Sequence, residues 1–261
     1  MSALEGRVAV VTGGAGALGF AVAQALIASG TTVILLGRSQ QRLKDALASL
    51  GDHASHAIIE VCDVSDEQTL TSVCERACNR YGRVDILVTC AAAPAAAGKF
   101  ENLTLQEWRT TLSTDLDGVF LSCKVFGKPM IAQRYGRIIN LTSFHNVATY
   151  PYRTIYNAAK SGVEGLSRAL AVEWGHYGIT VNTVAPGPIL TPRTQWFLAQ
   201  DKGNEAGMLG RTPNVRLGEL NDVGSAVAFL GSDAARHING QRLVIDGGWT
   251  MNAWWGRHTE L

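Results

Sequence analysis

The chain has 261 residues, of which 46% are hydrophobic and 17% are charged, and its formal net charge is +1. This balance predicts a globular α/β protein with a substantial core and argues against a disordered chain. Without a dense block of Lys and Arg, the charge pattern also argues against a nucleic-acid-binding surface. Five cysteines without a CxxC pair argue against a disulfide framework and a zinc ribbon, so we expect no metal site.

The N-terminal residues run directly into a strand-like segment. The stretch "MSALEGRVAVVTGG" carries Glu5 and leaves no room for a signal peptide. No apolar run approaches the length needed to span a membrane. We therefore expect a soluble cytoplasmic protein with no membrane partner.

Short, β-rich apolar runs alternate with longer helical patterns along the chain. This alternation predicts βαβ units, and hence one doubly wound parallel β-sheet with helices on both faces. The runs are apolar throughout, as is typical of strands buried on both sides. We predict seven strands, at residues 7–12, 32–36, 57–61, 84–89, 136–141, 180–185 and 242–246.

One segment interrupts this rhythm, at about residues 188–216. It combines several prolines with apolar side chains such as Trp196, Phe197 and Met208. A long apolar insertion in a compact fold is often an active-site lid. Because the chain contains no repeat, low-complexity tract or linker, we predict a single domain over residues 1–261 that carries this lid.

A glycine-rich turn follows the first predicted strand. Gly14, Gly16 and Gly19 spell G-x-G-x-x-G between a strand and a helix. Small residues let the backbone approach a pyrophosphate, whose charge is then met by free N–H groups and by the helix dipole. The motif predicts nucleotide binding, although such turns also occur in methyltransferases and flavoproteins.

The end of the second predicted strand indicates which nucleotide is bound. An acidic residue about 20 positions beyond the glycines holds the adenosine ribose in NAD sites, whereas an arginine accommodates the 2′-phosphate of NADP. Here Gly37 and Arg38 stand at that point. A guanidinium suits a phosphate, so NADP(H) is favoured over NAD(H), the alternative being that Arg38 is a solvated surface residue.

The stretch "SFHNVATYPYRTIYNAAK" contains a candidate acid/base residue. Of its tyrosines, only Tyr156 is followed four residues later by a cation, Lys160, about 6 Å along a helix. An ammonium about 5 Å from the phenol would stabilise the phenolate by roughly 3 kcal/mol at an effective dielectric near 20. Ser143, at the end of the fifth strand, can hydrogen-bond the same substrate oxygen. Tyr150 precedes a proline and is predicted to lie outside the helix, and Tyr152 is too far from the lysine.

Several further motifs appear in a fixed order. "TGGAGALG", "CDVSD", "NLTS", "YNAAK", "VNTVAPGPILTP" and "INGQRLVIDGG" follow one another along the chain. On these motifs the chain resembles the short-chain dehydrogenase/reductase family over nearly its full length. The resemblance implies a Rossmann fold, an NAD(P)-dependent alcohol dehydrogenase or ketoreductase activity, and a homotetramer or homodimer.

The resemblance also implies individual roles. Tyr156 would be the general acid/base, Lys160 would hold the nicotinamide ribose, and Ser143 would orient the substrate carbonyl. Besides Tyr156 and Lys160, the implied cofactor-binding residues are Gly13, Gly14, Gly16, Ala17, Leu18, Gly19, Arg38, Asp63, Val64, Cys90, Ala91, Pro186, Gly187, Ile189 and Thr191. Besides Ser143, the substrate candidates are His145, Arg153 and Trp196. Further pocket candidates are Phe144, Asn146, Phe197, Trp249, Trp254 and Trp255. The alternative for each aromatic residue is that it packs in the core or between subunits.

Three positions depart from the family's pattern. Ala17 replaces the middle glycine of the turn, and "TCAA" at 89–92 replaces a stretch whose amide side chains brace the nucleotide. Asp115 stands where the family has a fourth catalytic residue, an asparagine. A carboxylate there can accept from the same water and keep Lys160 charged, which would shift the pH optimum. The alternative is that Asp115 only satisfies backbone groups or is turned away.

The leading hypothesis is NADP(H)-dependent interconversion of a ketone and a secondary alcohol. A non-catalytic NADP-binding regulator on the same fold is the alternative, but it would be expected to lose Tyr156 or Lys160. A methyltransferase is disfavoured by Arg38 and Lys160. The sequence does not choose among a sugar acid, a 3-oxoacyl thioester and a cyclic ketone as substrate.

Overall fold

The computed structural model describes residues 4–94 and 96–253. Seven strands form one sheet in the order β3-β2-β1-β4-β5-β6-β7, and every neighbouring pair is parallel. The predicted doubly wound parallel sheet is therefore confirmed, and each strand lies within two residues of its predicted bounds. The strands are β1 (Val8–Thr12), β2 (Thr32–Gly37), β3 (Ala57–Val61), β4 (Ile86–Thr89), β5 (Gly136–Leu141), β6 (Ile179–Pro186) and β7 (Arg242–Ile245).

Helices fill the intervals between the strands. They are α1 (Ala17–Ala28), α2 (Gln40–Ser49), α3 (Glu67–Tyr81), α4 (Leu105–Leu112), α5 (Gly118–Gln133), α6 (Thr154–Trp174), α7 (Pro192–Gln200), α8 (Lys202–Arg211) and α9 (Leu220–Gly231). Helices α7 and α8 lie in the segment that the sequence predicted to be a lid. Among the described residues, no helix combines the length and the apolar character needed to cross a lipid bilayer.

Two apolar clusters lie on opposite faces of the sheet. Along β1, Ala9 and Val11 belong to the cluster covered by α1, α2 and α9. Val8 and Val10 belong to the cluster covered by α3, α5 and α6. Because successive side chains of a strand point to opposite faces, burial on both faces requires an unbroken apolar run. This is why "VAVVT" shows no polar alternation.

The order of the strands creates a crevice beside β1. After β3 the chain crosses over β1 and forms β4 on its other side. The loops that leave β1 and β4 therefore diverge to opposite faces of the sheet. Ligands of open parallel sheets bind at such a switch point, outside the carboxyl ends of the strands.

A buried carboxylate anchors the amino-terminal end of β4. Asp85 is fully buried and accepts hydrogen bonds from the Arg7 and Arg83 guanidinium groups and, at 2.9 Å, from the Val8 backbone N–H. These bonds fix the start of β4 against β1. They also set the register in which both strands deliver their carboxyl ends to the crevice.

Asp85→Ala is expected to lower the free energy of unfolding by about 3 kcal/mol, because it leaves two guanidinium groups and a buried N–H without their partner. Urea unfolding followed by circular dichroism measures the change. Glu67→Ala is the matched control, since Glu67 forms an exposed 2.7 Å ion pair with Lys124. Exposed pairs contribute less than about 1 kcal/mol, so equal losses in the two variants would contradict this assignment.

Candidate active site

A cleft of about 670 Å³ opens at the carboxyl ends of β1 to β4. Its volume is in the range of small-molecule and cofactor sites. Eleven residues expected at the nucleotide site line it, namely Gly13, Gly16, Ala17, Leu18, Gly19, Arg38, Asp63, Val64, Cys90, Ala91 and Thr191. Gly37 and Ala92, which were noted in the sequence but not assigned to the site, also line it, as do residues that were not considered there, namely Ala15, Ser39, Arg42, Cys62, Thr114, Pro192 and Arg193.

The glycines of the turn after β1 are required by close packing. Gly13 has a φ of +65°, and a Cβ there would lie 2.8 Å from the Cα of Ala91. A Cβ on Gly19 would overlap the carbonyl oxygen of Gly13. Gly14 lies behind the turn, where a Cβ would press on Leu35. The turn thus holds the start of α1 tightly against β4 and leaves the cleft side free.

The start of α1 presents unpaired N–H groups to the cleft. The helix begins at Ala17, no side chain caps it, and its first turn carries no acidic residue. First-turn N–H groups have no partner within a helix, and the helix dipole adds a partial positive charge. Ala17, Leu18 and Gly19 line the cleft at this point. Its donors fit the pyrophosphate of a dinucleotide, and the methyl group of Ala17 is compatible with the helical turn.

Two arginines face the part of the cleft at the end of β2. Arg38 lines the cleft directly after the strand. Arg42, one turn into α2, donates from Nη2 to the carbonyl oxygen of Ala15 at 3.3 Å. Ser39 caps α2 by accepting from the Arg42 N–H. Local spacing does not relate the two arginines, because Arg38 lies before the N-cap of α2 and Arg42 lies within the helix.

The β4 end, where the family's amides are missing, is braced by hydroxyl groups. Thr12 Oγ1 accepts from the N–H groups of Cys90 and Ala91 at 3.1 and 3.2 Å. Thr89 Oγ1 donates to Asn140 Oδ1 at 2.8 Å, which joins β4 to β5. Burial raises the pKa of the Cys90 thiol to about 12, so it stays neutral.

Residues 186–191 lie partly in the core and partly at the cleft. Pro186 ends β6, and the Gly187 N–H donates to the Ile245 carbonyl oxygen at 2.8 Å. The Ile189 side chain is buried in the cluster under α1 and α9, so only its backbone is available to a ligand. Thr191 caps α7 and lines the cleft.

Helix α6 brings Tyr156 and Lys160 to one side, as the spacing predicted. Lys160 is buried, its Nζ lies 5.8 Å from the centroid of the Tyr156 ring, and it donates to the Leu141 carbonyl oxygen at 3.2 Å. Ser143 lies two residues after the end of β5 and is also buried. Its Oγ accepts from the His145 N–H at 3.3 Å.

The other two tyrosines of the stretch stand before α6. Tyr150 lies outside the helix, as predicted, with its ring 4.9 Å from that of His145. Tyr152 also precedes the helix, in a left-handed conformation with φ of +67°, and its side chain is largely exposed. Neither therefore occupies the helix face that carries Lys160.

Asp115 contacts both of the groups that the sequence left open, the backbone and Lys160. It is fully buried in a π-helical turn, Ser113–Asp117, between α4 and α5. Its Oδ1 accepts from the Ala93 N–H at 2.6 Å, and its Oδ2 lies 4.0 Å from Lys160 Nζ. Burial raises the pKa of Asp115, while the Lys160 charge and the Ala93 hydrogen bond lower it in part. One oxygen therefore satisfies a backbone group while the other faces the lysine.

An aromatic wall, formed by Phe144, His145, Tyr150 and Trp249, lies beside Tyr156. The ring of His145 stacks on Phe144 at 4.3 Å and meets Tyr156 edge to face at 5.8 Å. The Trp249 ring packs against Phe144 at 4.9 Å and Tyr150 at 5.7 Å. Burial, helped by the charge of Arg153, lowers the pKa of His145 to about 4.

The remaining substrate candidates are scattered. Arg153 occupies the N-cap position of α6. Trp196, on α7, is 66% exposed and makes no ring contact within the described part of the chain. Asn146 donates from Nδ2 to the Lys160 carbonyl oxygen at 3.1 Å and so ties the loop after β5 to α6. Trp254 and Trp255 lie outside the described residues.

Comparison with known proteins places this geometry in a family. A family model described as enoyl-(acyl carrier protein) reductase matches residues 13–250. D-threitol dehydrogenase of Mycolicibacterium smegmatis is 36% identical over 95% of this chain and 94% of its own length. The 3-oxoacyl-acyl-carrier-protein reductase FabG of Haemophilus influenzae is 36% identical over 94% of this chain and 98% of its own.

A solved structure supports the same placement. Levodione reductase superposes with a TM-score of 0.90 at 33% sequence identity, covering 96% of this chain and 100% of its own. The relatives named here are dehydrogenases and reductases that match this chain almost from end to end. The chain therefore belongs to the short-chain dehydrogenase/reductase family and is an oxidoreductase of alcohol and ketone groups.

Proposed function

We propose that the protein is an NADP(H)-dependent enzyme that interconverts a ketone and a secondary alcohol with Tyr156 as general acid/base. The observation that carries this proposal is the approach of Lys160 to Tyr156 on α6, where the Tyr156 ring also meets His145, whose N–H donates to Ser143 Oγ. The family membership favours a nicotinamide cofactor. When bound, that cofactor supplies or accepts the hydride.

The residues of the cleft fit a dinucleotide. The uncapped start of α1 would hold the pyrophosphate, and Asp63 with Val64 would flank the adenine. The Asp63 carboxylate is itself held by the Ser65 N–H and hydroxyl at 3.0 and 2.7 Å. Arg38 and Arg42 would meet the 2′-phosphate, since a guanidinium presents paired donors that match a phosphate.

Two side chains act on the substrate oxygen, and a third, Lys160, acts on Tyr156. Ser143 Oγ and the Tyr156 hydroxyl donate hydrogen bonds to the carbonyl oxygen and polarise it. In the reductive direction the Tyr156 proton passes to that oxygen, and in the oxidative direction the phenolate accepts it back. The Lys160 ammonium, fixed by the Leu141 carbonyl oxygen, stabilises the negative charge left on the phenol.

An assay of cofactor oxidation tests the proposal. NADPH and NADH would each be mixed with a ketone-bearing sugar acid, a 3-oxoacyl thioester and a cyclic ketone, and absorbance at the reduced nicotinamide band followed. We expect turnover of at least one ketone, and faster turnover with NADPH. Binding of NADPH without turnover of any of them would instead favour the non-catalytic regulator.

Replacing Asp115 with Asn is expected to lower kcat/KM at pH values above the pKa of Asp115, because the variant removes a negative charge 4.0 Å from Lys160 Nζ. The raised pKa of Asp115 sets the lower end of the pH range in which the variant and the wild type differ. As the pH falls through that value the wild type also loses the charge, so the two profiles converge at acidic pH. Plots of kcat/KM against pH measure both effects.

Asp117→Asn is the matched control for this experiment. Asp117 lies in the same π-helical turn as Asp115 but is exposed. Its replacement is expected to leave both limbs of the profile in place. Superimposable profiles of Asp115→Asn and the wild type would remove the proposed role of Asp115 and leave only its bond to Ala93.

We also propose that α7 and α8 form the substrate lid of a single domain. Thr191, Pro192 and Arg193, at the start of α7, line the cleft opposite the glycine turn, which supports this.

Assembly as a homodimer or homotetramer through helices after β4 and β5 is consistent with the exposed apolar side chains of Leu105 and Phe120. Sedimentation velocity would test it. A cytoplasmic location stays a prediction.

A further inference from the structure

Two arginines flank the aromatic wall and have no acidic partner. The guanidinium carbon of Arg211, at the end of α8, lies 4.1 Å from the centroid of the Trp249 ring. Arg153 precedes Tyr156 by three residues, and its charge reaches His145. Within residues 4–94 and 96–253, neither guanidinium makes a hydrogen bond or an ion pair.

Two acids, Asp246 and Asp115, have partners of their own. Asp246, in the turn before Trp249, accepts from the N–H groups of Gly248 and Thr250 and from the Thr250 hydroxyl. Asp115 is buried and faces Lys160. The imidazole of His145 is neutral near pH 7, because burial disfavours its charged form. The two guanidinium charges at the wall are therefore not balanced by any described neighbour.

The wall itself suits a compact apolar body. His145 and Tyr150, its partly exposed members, present an imidazole ring and a phenol ring next to Tyr156. Phe144 and Trp249 are buried behind them and hold both rings in place. A substrate that packs on this wall would have its reacting oxygen at Tyr156 and its far side near the arginines.

We infer that the substrate is a small oxo or hydroxy carboxylic acid, whose carboxylate is bound by Arg153 and Arg211 while its carbon skeleton lies on the aromatic wall. The inference rests on the proposed function, because it assigns the substrate class of the same site. A guanidinium and a carboxylate form paired, charge-assisted hydrogen bonds, which gives such a site both affinity and orientation. The reaction remains the transfer of a hydride and a proton at the carbonyl carbon and oxygen.

A matched pair of ketones tests it, 4-oxocyclohexanecarboxylate and its neutral amide, 4-oxocyclohexanecarboxamide. We expect the wild type to have a kcat/KM about 10-fold higher or more for the acid, as one charge-assisted bond at a partly exposed site would give. The ratio of the two values is expected to fall towards one in Arg153→Gln and Arg211→Gln, mainly through KM. Arg153→Lys and Arg211→Lys, which keep the charge, should restore part of it. Arg80→Gln, an exposed arginine on α3, is the control and should leave the ratio unchanged.

The outcomes separate this inference from the proposed function. Turnover of both ketones at equal kcat/KM, or a preference that neither glutamine variant changes, overturns the inference and leaves the function standing. If neither ketone is reduced, calorimetric titration of cyclohexanecarboxylate and cyclohexanecarboxamide in the presence of NADP decides it. Tighter binding of the acid that depends on Arg153 or Arg211 supports the inference, and equal binding overturns it. A preference for a 3-oxoacyl thioester over the acid also overturns it.

Discussion

Tyr156→Phe is expected to lower kcat by about 1,000-fold, within the range of 100- to 10,000-fold typical of a lost general acid/base. The substitution removes one oxygen and leaves the ring contact with His145 intact. Lys160 keeps its bond to the Leu141 carbonyl oxygen, so its position is retained. NADPH oxidation with an accepted ketone measures the loss, and fluorescence titration with NADPH shows that the cofactor still binds.

The matched control is Tyr152→Phe. Tyr152 lies four residues before Tyr156, but it stands outside α6 and its side chain is 54% exposed. We expect its replacement to change kcat less than twofold, since an exposed hydroxyl away from Lys160 contributes little. Retention of full activity by Tyr156→Phe would contradict the proposed mechanism. Loss of cofactor binding together with activity would instead indicate a structural role.

Removing the two arginines at the end of β2 is expected to abolish the preference for NADPH. The ratio of kcat/KM with NADPH to that with NADH should fall by about 10- to 100-fold in Arg38→Ala, and further in the double variant with Arg42→Ala. Each charge-assisted hydrogen bond to a phosphate contributes about 1.5–3 kcal/mol, reduced here because both side chains are partly open to solvent. Arg42 is expected to contribute less, because its Nη2 already donates to Ala15.

Lys44→Ala controls for the general loss of positive charge. Lys44 is exposed on the same helix as Arg42 but is not part of the cleft. The cofactor ratio should stay within twofold of the wild type in this variant. A rise of salt concentration should weaken NADPH binding more than NADH binding in the wild type and in Lys44→Ala, but not in the double arginine variant. Equal use of both cofactors by the wild type would show that Arg38 is a surface residue.

The strands were predictable because of where they lie. The central strands are buried on both faces, and an uninterrupted apolar run such as "VAVVT" is typical of that position, whereas the edge strands β3 and β7 are partly exposed. The relation between Tyr156 and Lys160 was equally accessible, since a spacing of four on a helix brings two side chains to one face. The rule does not extend to Arg38 and Arg42, because Arg38 lies before the extended N-cap Ser39 and only Arg42 is in α2.

Asp115 shows the limit of such reasoning. Asp115 stands where the family has an asparagine, and the sequence left two alternatives for it, a contact with the backbone or a negative charge that faces Lys160. Both occur at once, because a carboxylate has two oxygens and the π-helical turn directs them to different partners. Only the packing of α5 against α6 shows which oxygen meets which group.

The sequence by itself determined the features that depend on near neighbours in the chain, namely the strands, the glycine turn and the face of α6 that carries Tyr156 and Lys160. The tertiary structure alone decided the contacts that join distant segments. Trp249 packs on Phe144, Arg193 reaches the cleft, and Arg211 covers Trp249. Such contacts depend on the order of the strands and on the paths of the crossovers, which bring together residues that no local spacing relates. For this reason the pair of Tyr156 and Lys160 could be predicted from its spacing of four residues in the sequence, whereas the aromatic wall and its two arginines could not be predicted.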